Sequence, residues 1–285
     1  MPTDSAFIKD NLQLVDVYTF NSEYSGSIDP TNGQTECLFV NTLTSARIEV
    51  EELFDYVFSH LFTEDIIPTS QPQYVLNATG NYVGITIDSV WSGGNIETRW
   101  TSDTIIMPKV VRSISGTDNG SVFVVDNLIK APSFSLGRMI ATNPEYSRFK
   151  DICENAGLLS GTTLDVYGSY PTAFIPTNAA IDQFITDGNL PTNESDLQAF
   201  VKYFFVDKPA FTSDSYNESV ATLCKDEENS TEFSIVYKMV ELQGTPGMLQ
   251  IKGTNNASFL NVIEGENSNI ICTNGIIHQI DGVLN

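Results

Sequence analysis

The amino-acid sequence predicts an α+β protein built from two copies of one helix-then-sheet unit. Three observations carry that prediction. Short segments recur in the same order in both halves, and in each half the apolar spacing changes once from a helical to a strand period. The length, 285 residues, suits two ordinary domains. Helices followed by strands is an α+β order, whereas a parallel βαβ fold alternates them.

The recurring segments come first. Pro2-Thr3-Asp4-Ser5-Ala6 corresponds to Pro176-Thr177-Asn178-Ala179-Ala180, and Glu52 to Val57 corresponds to Asp196 to Val201. Near each end, Asn119-Gly120 followed by Val122 to Asp126 corresponds to Asn274-Gly275 followed by Ile277 to Asp281. The domains are therefore expected at 1–131 and 132–285. The first carries about 30 extra residues, roughly 16–47, between its first two segments. That stretch is polar and turn-rich (Ser25-Gly26, Asp29-Pro30, Asn32-Gly33), as an inserted loop or hairpin would be. In the second half residues 132–175 precede the Pro-Thr segment, and in the first half only Met1 does. The first domain is thus expected to begin partway in.

Within the second half, Phe149, Ile152, Cys153 and Ala156 share one helical face, with Pro144 near the start and Gly157 beyond the end. Ala173-Phe174-Ile175 reads as a short strand, and Thr177 or Asn178 as the cap of a following helix. Leu197, Phe200, Val201, Phe204 and Phe205 then fall on a longer helix, matched in the first half by Val50, Leu53, Phe54, Val57 and Leu61. Afterwards the period becomes two. Strands are expected at 233–237, 248–251, 259–263 and 276–280, and in the first half at 82–87, 105–106 and 122–125.

Composition bounds the partners. The net charge of −22 argues against nucleic acid and against electrostatic docking on an anionic bilayer. Each half contributes −11, so the charge belongs to the whole surface. No apolar run approaches the roughly 18 residues of a membrane span. Cys37, Cys153, Cys224 and Cys272 lack CxxC spacing. Buried unpaired thiols are the expectation for them, with one disulfide as the alternative.

The segments resemble the fasciclin (βig-h3-type) family. LGRMIATNPEYSRFKDICENAGLL (136–159) resembles the helical opening of such domains and TAFIPTNAAI (172–181) their first signature box. NGIIHQIDGVL (274–284) resembles the second box, and NGSVFVVDNLI (119–129) is a looser copy of it. The resemblance implies tandem domains, each a wedge of about seven strands with several flanking helices. It implies extracytoplasmic proteins, often membrane-anchored, that mediate adhesion. The expected location is a cell surface or an outer membrane, reached through a lipid anchor upstream of the chain, with the periplasm as the alternative. Animal relatives carry a Tyr-His pair implicated in receptor contact. Here Ser59-His60 and Tyr203-Phe204 stand at that place, so each repeat keeps one member of the pair, and no Arg-Gly-Asp tripeptide is present. Both facts count against an integrin-like role.

Chemistry-bearing patterns are sparse. His60 and His278 read as structural, hydrogen-bonded histidines, since no GxSxG elbow accompanies either. Asp29 to Gly33 has the oxygens of a calcium loop without the later glutamate, and no phosphate-binding glycine loop occurs. No enzyme activity, cofactor or metal is expected. Two features could bind a surface protein or glycan. Trp91 and Trp100 flank Ser92-Gly93-Gly94, which reads as a hairpin, although core packing is the favoured reading of both indoles. Tyr18, Phe20 and Tyr24 lie in the inserted loop. His60 and Tyr203 complete the candidate residues. The expected role is adhesion or ligand binding. The alternatives are a glycan-binding accessory surface lipoprotein in polysaccharide capture and, more remotely, a hydrolase.

Overall fold

The computed structural model describes residues 2, 6–7, 12–16, 37–41, 46–47, 54–55, 57–64, 66–102, 105–117 and 120–285. Contacts divide the chain into two compact units. One is Met1–Ser70, Val75–Thr98 and Thr104–Ala131; the other is Gln71–Tyr74, Arg99–Asp103 and Pro132–Asn285.

The first unit opens with an antiparallel set of strands β1 (Leu12–Asp16), β2 (Cys37–Asn41) and β3 (Ala46–Arg47). Asp16 pairs with Cys37 and Leu12 with Asn41, so the insertion is a hairpin closed below residues 17–36. Tyr18, Phe20, Tyr24 and the loop at Asp29 to Gly33 lie outside the described residues, as does most of the helix expected before Leu61. Strands β4 (Gln73–Leu76), β5 (Tyr82–Ile85) and β6 (Val90–Trp91) follow. After a helix at Gly93–Ser102 comes the hairpin of β7 (Val110–Thr117) and β8 (Gly120–Val125). Val83, Ile85, Val90, Val125 and Ile129 form the core.

The hairpin expected at Ser92-Gly93-Gly94 is therefore a helix start. A Cβ on Gly94 would lie 2.2 Å from the Ala131 carbonyl oxygen. The glycine thus serves a close backbone approach and not a turn. Ile105 and Ile106, read as strand, lie in an exposed connection outside any strand.

In the second unit, helices at Leu136–Thr142 and Ser147–Asn155 precede short strands β9 (Leu159–Ser160) and β10 (Thr163–Leu164). Ser135 caps the first by accepting from the Arg138 N–H, and Gly157 leaves the second at φ +67°. Strand β11 (Thr172–Pro176) is buried at all five residues. Thr177 then caps the helix Asn178–Thr186 through the Ala180 N–H, and Asn193 caps Glu194–Tyr203 through the Asp196 N–H. The rest is sheet: β12 (Phe205–Val206), β13 (Tyr216–Lys225), β14 (Tyr237–Thr245), β15 (Met248–Lys252), β16 (Leu260–Asn261), β17 (Ile270–Cys272) and β18 (Gly275–Ile280). Their order is β16-β15-β14-β13-β12-β11-β18-β17, with β11 parallel to β18 and antiparallel to β12. Tyr146, Phe149, Phe174, Phe204 and Phe205 fill the core between helices and sheet.

Two expected elements differ. The helix ends at Tyr203, because the Phe204 carbonyl accepts from the Phe174 N–H and Phe205 pairs with Ala173. Both rings are buried as a helical stripe would be, but sheet hydrogen bonds hold their backbone. The strand expected at 233–237 begins at Tyr237; Phe233 is 97% exposed and lies in a loop.

Several contacts recur between the units. Pro2 bridges Val125 in parallel as Pro176 pairs with Ile280. Val110 opposes Val125 as Val262 opposes Ile280. The Asp126 N–H donates to the Lys109 carbonyl while its carboxylate accepts from the Lys109 N–H at 2.8 Å. Asp281 and Asn261 make the same reciprocal pair, again at 2.8 Å. Asn95 accepts from the Ser92 and Lys130 N–H groups and donates to the Leu128 carbonyl. Asn256 does likewise with Gly253, Asn285 and Val283.

Each asparagine thus pins the C-terminal tail of its unit to the turn after a strand. Removing the amide strands three backbone groups, at a cost of about 1–3 kcal/mol per buried group left unpaired. Asn95 is fully buried and Asn256 partly so. Asn95→Ala is expected to destabilise the first unit by about 2–4 kcal/mol and Asn256→Ala the second by somewhat less. Urea denaturation followed by intrinsic fluorescence checks both.

Candidate functional site

A cleft of about 750 Å³ opens in the first unit. One wall is His60 to Glu64 and the other is β8, from Gly120 to Val125. Ile85, Val90, Val125 and Ile129 make an apolar floor, each at most 5% exposed. Polar groups (His60, Thr63, Glu64, Ser121) sit among the lining. A concave apolar site with a few polar groups is the usual form of a ligand site, and this volume falls within the usual range. β8 pairs with β7, and in the opposite wall Phe62 bridges Asn77 between turn and bend residues.

His60 is held at the cleft by two bonds. Its Nε2 accepts from the Ile129 N–H at 3.0 Å, and Nδ1 lies 2.9 Å from the Ser59 hydroxyl. An acceptor at Nε2 places the neutral ring's proton on Nδ1, which then donates to Ser59. That is the reverse of a histidine drawing a proton from a serine nucleophile. Ser59 is itself buried. The arrangement holds backbone and does not activate a hydroxyl.

His278 is completely buried in β18. Its Nδ1 accepts from the Asn269 N–H, so Nε2–H donates to the Ala210 carbonyl at 2.9 Å. Phe174 stacks on the ring. Desolvation pushes its pKa down to about 4, against the smaller opposing pull of the Ala210 carbonyl.

The other candidates lie apart from the cleft. Trp91 is 7% exposed, and a Cβ on Gly84 would meet its indole at 2.4 Å, so the ring lies flat over that glycine. Trp100, grouped with the second unit, is half-buried against that unit's core. Neither offers the open indole that sugar stacking needs. Tyr203 is 8% exposed; its hydroxyl accepts from the Thr254 N–H and donates to the Met239 carbonyl. Cys153, Cys224 and Cys272 are buried, and desolvation raises the thiol pKa of Cys153 and Cys224.

Sequence reasoning found His60 and missed the cleft, Asn95 and Asn256. A signal for the asparagines existed: each lies three residues after the first residue beyond a strand, Ser92 after β6 and Gly253 after β15. It was weak, because the groups that they bind are backbone.

Residues 144–285 match the fasciclin domain family. Human stabilin-1 is 29% identical over 160 residues, which are 54% of this chain and 5% of stabilin-1, so the chain spans a small fraction of that relative. The solved FAS1 domain pair of the insect cell adhesion molecule fasciclin I is 16% identical, with a TM-score of 0.39, over 75% of this chain and 71% of that one. The architecture of the second unit is α+β with the fasciclin fold. No helix among the described residues is long and apolar enough to cross a membrane.

The depressed His278 pKa sets a pH dependence. The ring is neutral in the fold down to about pH 4 and titrates near 6.5 when unfolded, so the unfolded chain binds the extra proton between those values. Stability of the second unit is expected to be complete above about pH 6.5 and to fall by about 3 kcal/mol on acidification to pH 4. His278→Gln, lower in stability at neutral pH, is expected to show a shallower decline over that window. Denaturation midpoints at pH 7, 6, 5 and 4 measure the difference.

Proposed function

We propose that this chain is an extracytoplasmic, non-catalytic module for adhesion or ligand binding, made of two fasciclin-like domains in tandem. The fasciclin domain of residues 144–285 carries the reading, because proteins of that family are typically adhesion proteins. The tandem reading is supported by the recurring contacts, from the Pro2–Val125 and Pro176–Ile280 bridges to the two tail-pinning asparagines. Net charge supports partners that are neither nucleic acid nor an anionic membrane.

Binding residues on such a scaffold belong on loops carried by rigid strands. The hairpin of β1 and β2 is such a carrier, and it leads into residues 17–36 with Tyr18, Phe20 and Tyr24. The glycan-binding alternative would draw on these rings, since Trp91 is packed away.

Asp16 and Cys37 are directly opposed, so an Asn-Gly turn can replace residues 17–36 without altering the register. The test applies the intact chain and this shortened chain to arrays of extracellular-matrix proteins and glycans. Saturable binding by the intact chain, weakened about tenfold or more by shortening, is expected. Failure of the intact chain to bind on either array would refute the reading. Equal binding by both chains would remove the loop as the site.

A further inference from the structure

We propose that the β13–β14 hairpin of the second unit ends in an apolar ridge that docks a protein surface of opposite charge, apolar and rich in arginine or lysine. This surface gives the chain a class of partner, and it rests on the reading of the chain as a binding module.

Beyond their last shared pair, Lys225 with Tyr237, β13 and β14 are joined by residues 226–236. Main chain and short polar side chains fix that extension. The Asp226 N–H donates to the Val236 carbonyl, and the Ser230 N–H to the Asp226 carbonyl. The Asp226 carboxylate accepts from the Glu228 and Asn229 N–H groups and from the Asn229 amide. The Ser230 hydroxyl accepts from the Val236 N–H and donates to the Val236 carbonyl. Thr231 and Ser234 exchange both backbone bonds, so Glu232-Phe233 forms a tight turn at the tip.

Apolar side chains stand outside this frame. Phe233, Ile235, Tyr237 and Met239 alternate along the chain and all are exposed, Phe233 at 97% and Ile235 at 61%. β14 turns its even-numbered residues Val240, Leu242 and Gly244 to the core, so Tyr237 and Met239 belong to the opposite face. Single exposed apolar residues are ordinary, whereas four along one fixed edge mark an interaction surface. A fixed turn also loses little conformational freedom when a partner covers it.

Charge selects the partner. Glu227, Glu228, Glu232 and Glu241 are exposed along the same hairpin. Against them stand Lys238 and Lys225, the latter paired with Glu227 at 2.6 Å. Carboxylates repel lipid phosphates and a second copy of this acidic chain. Arginine and lysine suit both the ridge and its border. Their stems cover apolar side chains, a guanidinium can stack on Phe233 or Tyr237, and the charged heads face the glutamates.

The test titrates the intact chain with a short amphipathic peptide of leucine and arginine. Leucine–glutamate and serine–arginine peptides of equal length are the controls. Amide chemical shifts locate the peptide, with Ile276 to Ile280 as a check that the chain is folded. Shifts concentrated at Phe233 to Met239 are expected, with binding about tenfold weaker for either control. Phe233→Ser combined with Ile235→Ser is expected to weaken leucine–arginine binding about tenfold, and Phe233→Leu to retain most of it. Equal binding of either control peptide, shifts spread over the whole acidic surface, or undiminished binding by the serine variant overturns the proposal. So does ridge-dependent uptake onto phosphatidylcholine vesicles without peptide binding, because the ridge would then be a membrane contact. Binding to matrix proteins or glycans without peptide binding at the ridge removes the ridge and leaves the binding reading intact.

Discussion

The second unit depends on one strand seated between two others. β11 pairs in parallel with β18 and so joins the beginning of the unit to its end, across about 100 residues. Closing a loop of that length costs on the order of 4 kcal/mol. Burial of all five β11 residues, with Phe174 against His278, offsets it. The hairpin that carries β18 has a second task. Asn274 accepts from the Leu136 N–H and so fixes the start of the opening helix. Gly275 permits an approach so close that a Cβ would lie 2.4 Å from the Pro171 carbonyl oxygen. One turn therefore places the opening helix, the central strand and the closing strand together.

The tails are fastened by groups that read only backbone. Asn95 and Asn256 each bind two N–H groups and one carbonyl, and Asp126 and Asp281 each exchange two bonds with a neighbouring main chain. Side chains at the bound positions are unconstrained: Leu128 stands where Val283 does, Lys130 where Asn285 does, and Ser92 where Gly253 does. The same contacts can therefore recur at positions that share few residues. The same economy allows the insertion in the first unit, since Asp16 and Cys37 already oppose each other and each doubling of loop length adds only about 0.6 kcal/mol.

Legibility in the sequence followed the same division. Local causes were readable, as the apolar face at Phe149 to Ala156 and the capping side chain at Thr177. The strands at Met248 to Lys252 and Gly275 to Ile280 were readable from their apolar runs. Phe204 and Phe205 were not, because a buried helical stripe and a buried strand both demand apolar residues there, and only the Phe174 N–H decides between them. Gly93-Gly94 misled for a related reason: glycine marks either a turn or a close approach, and the Ala131 carbonyl that requires it lies far along the chain. In the candidate site His60 was visible as a residue type. The cleft around it was not, since it arises from the spacing between two strands and no single residue marks it.

The histidines show how little of the imidazole chemistry is left for a partner. His60 accepts a backbone N–H from Ile129, and His278 accepts one from Asn269. In each case the register of the other unit puts phenylalanine at the matching position, Phe204 for His60 and Phe123 for His278. Each unit thus uses one ring to satisfy main chain and fills the other place with an aromatic of similar shape. An imidazole committed to an N–H has no lone pair on that nitrogen for a substrate proton, and His278 is closed to solvent as well. The hairpin of β1 and β2 and the cleft beside β8 both belong to the first unit.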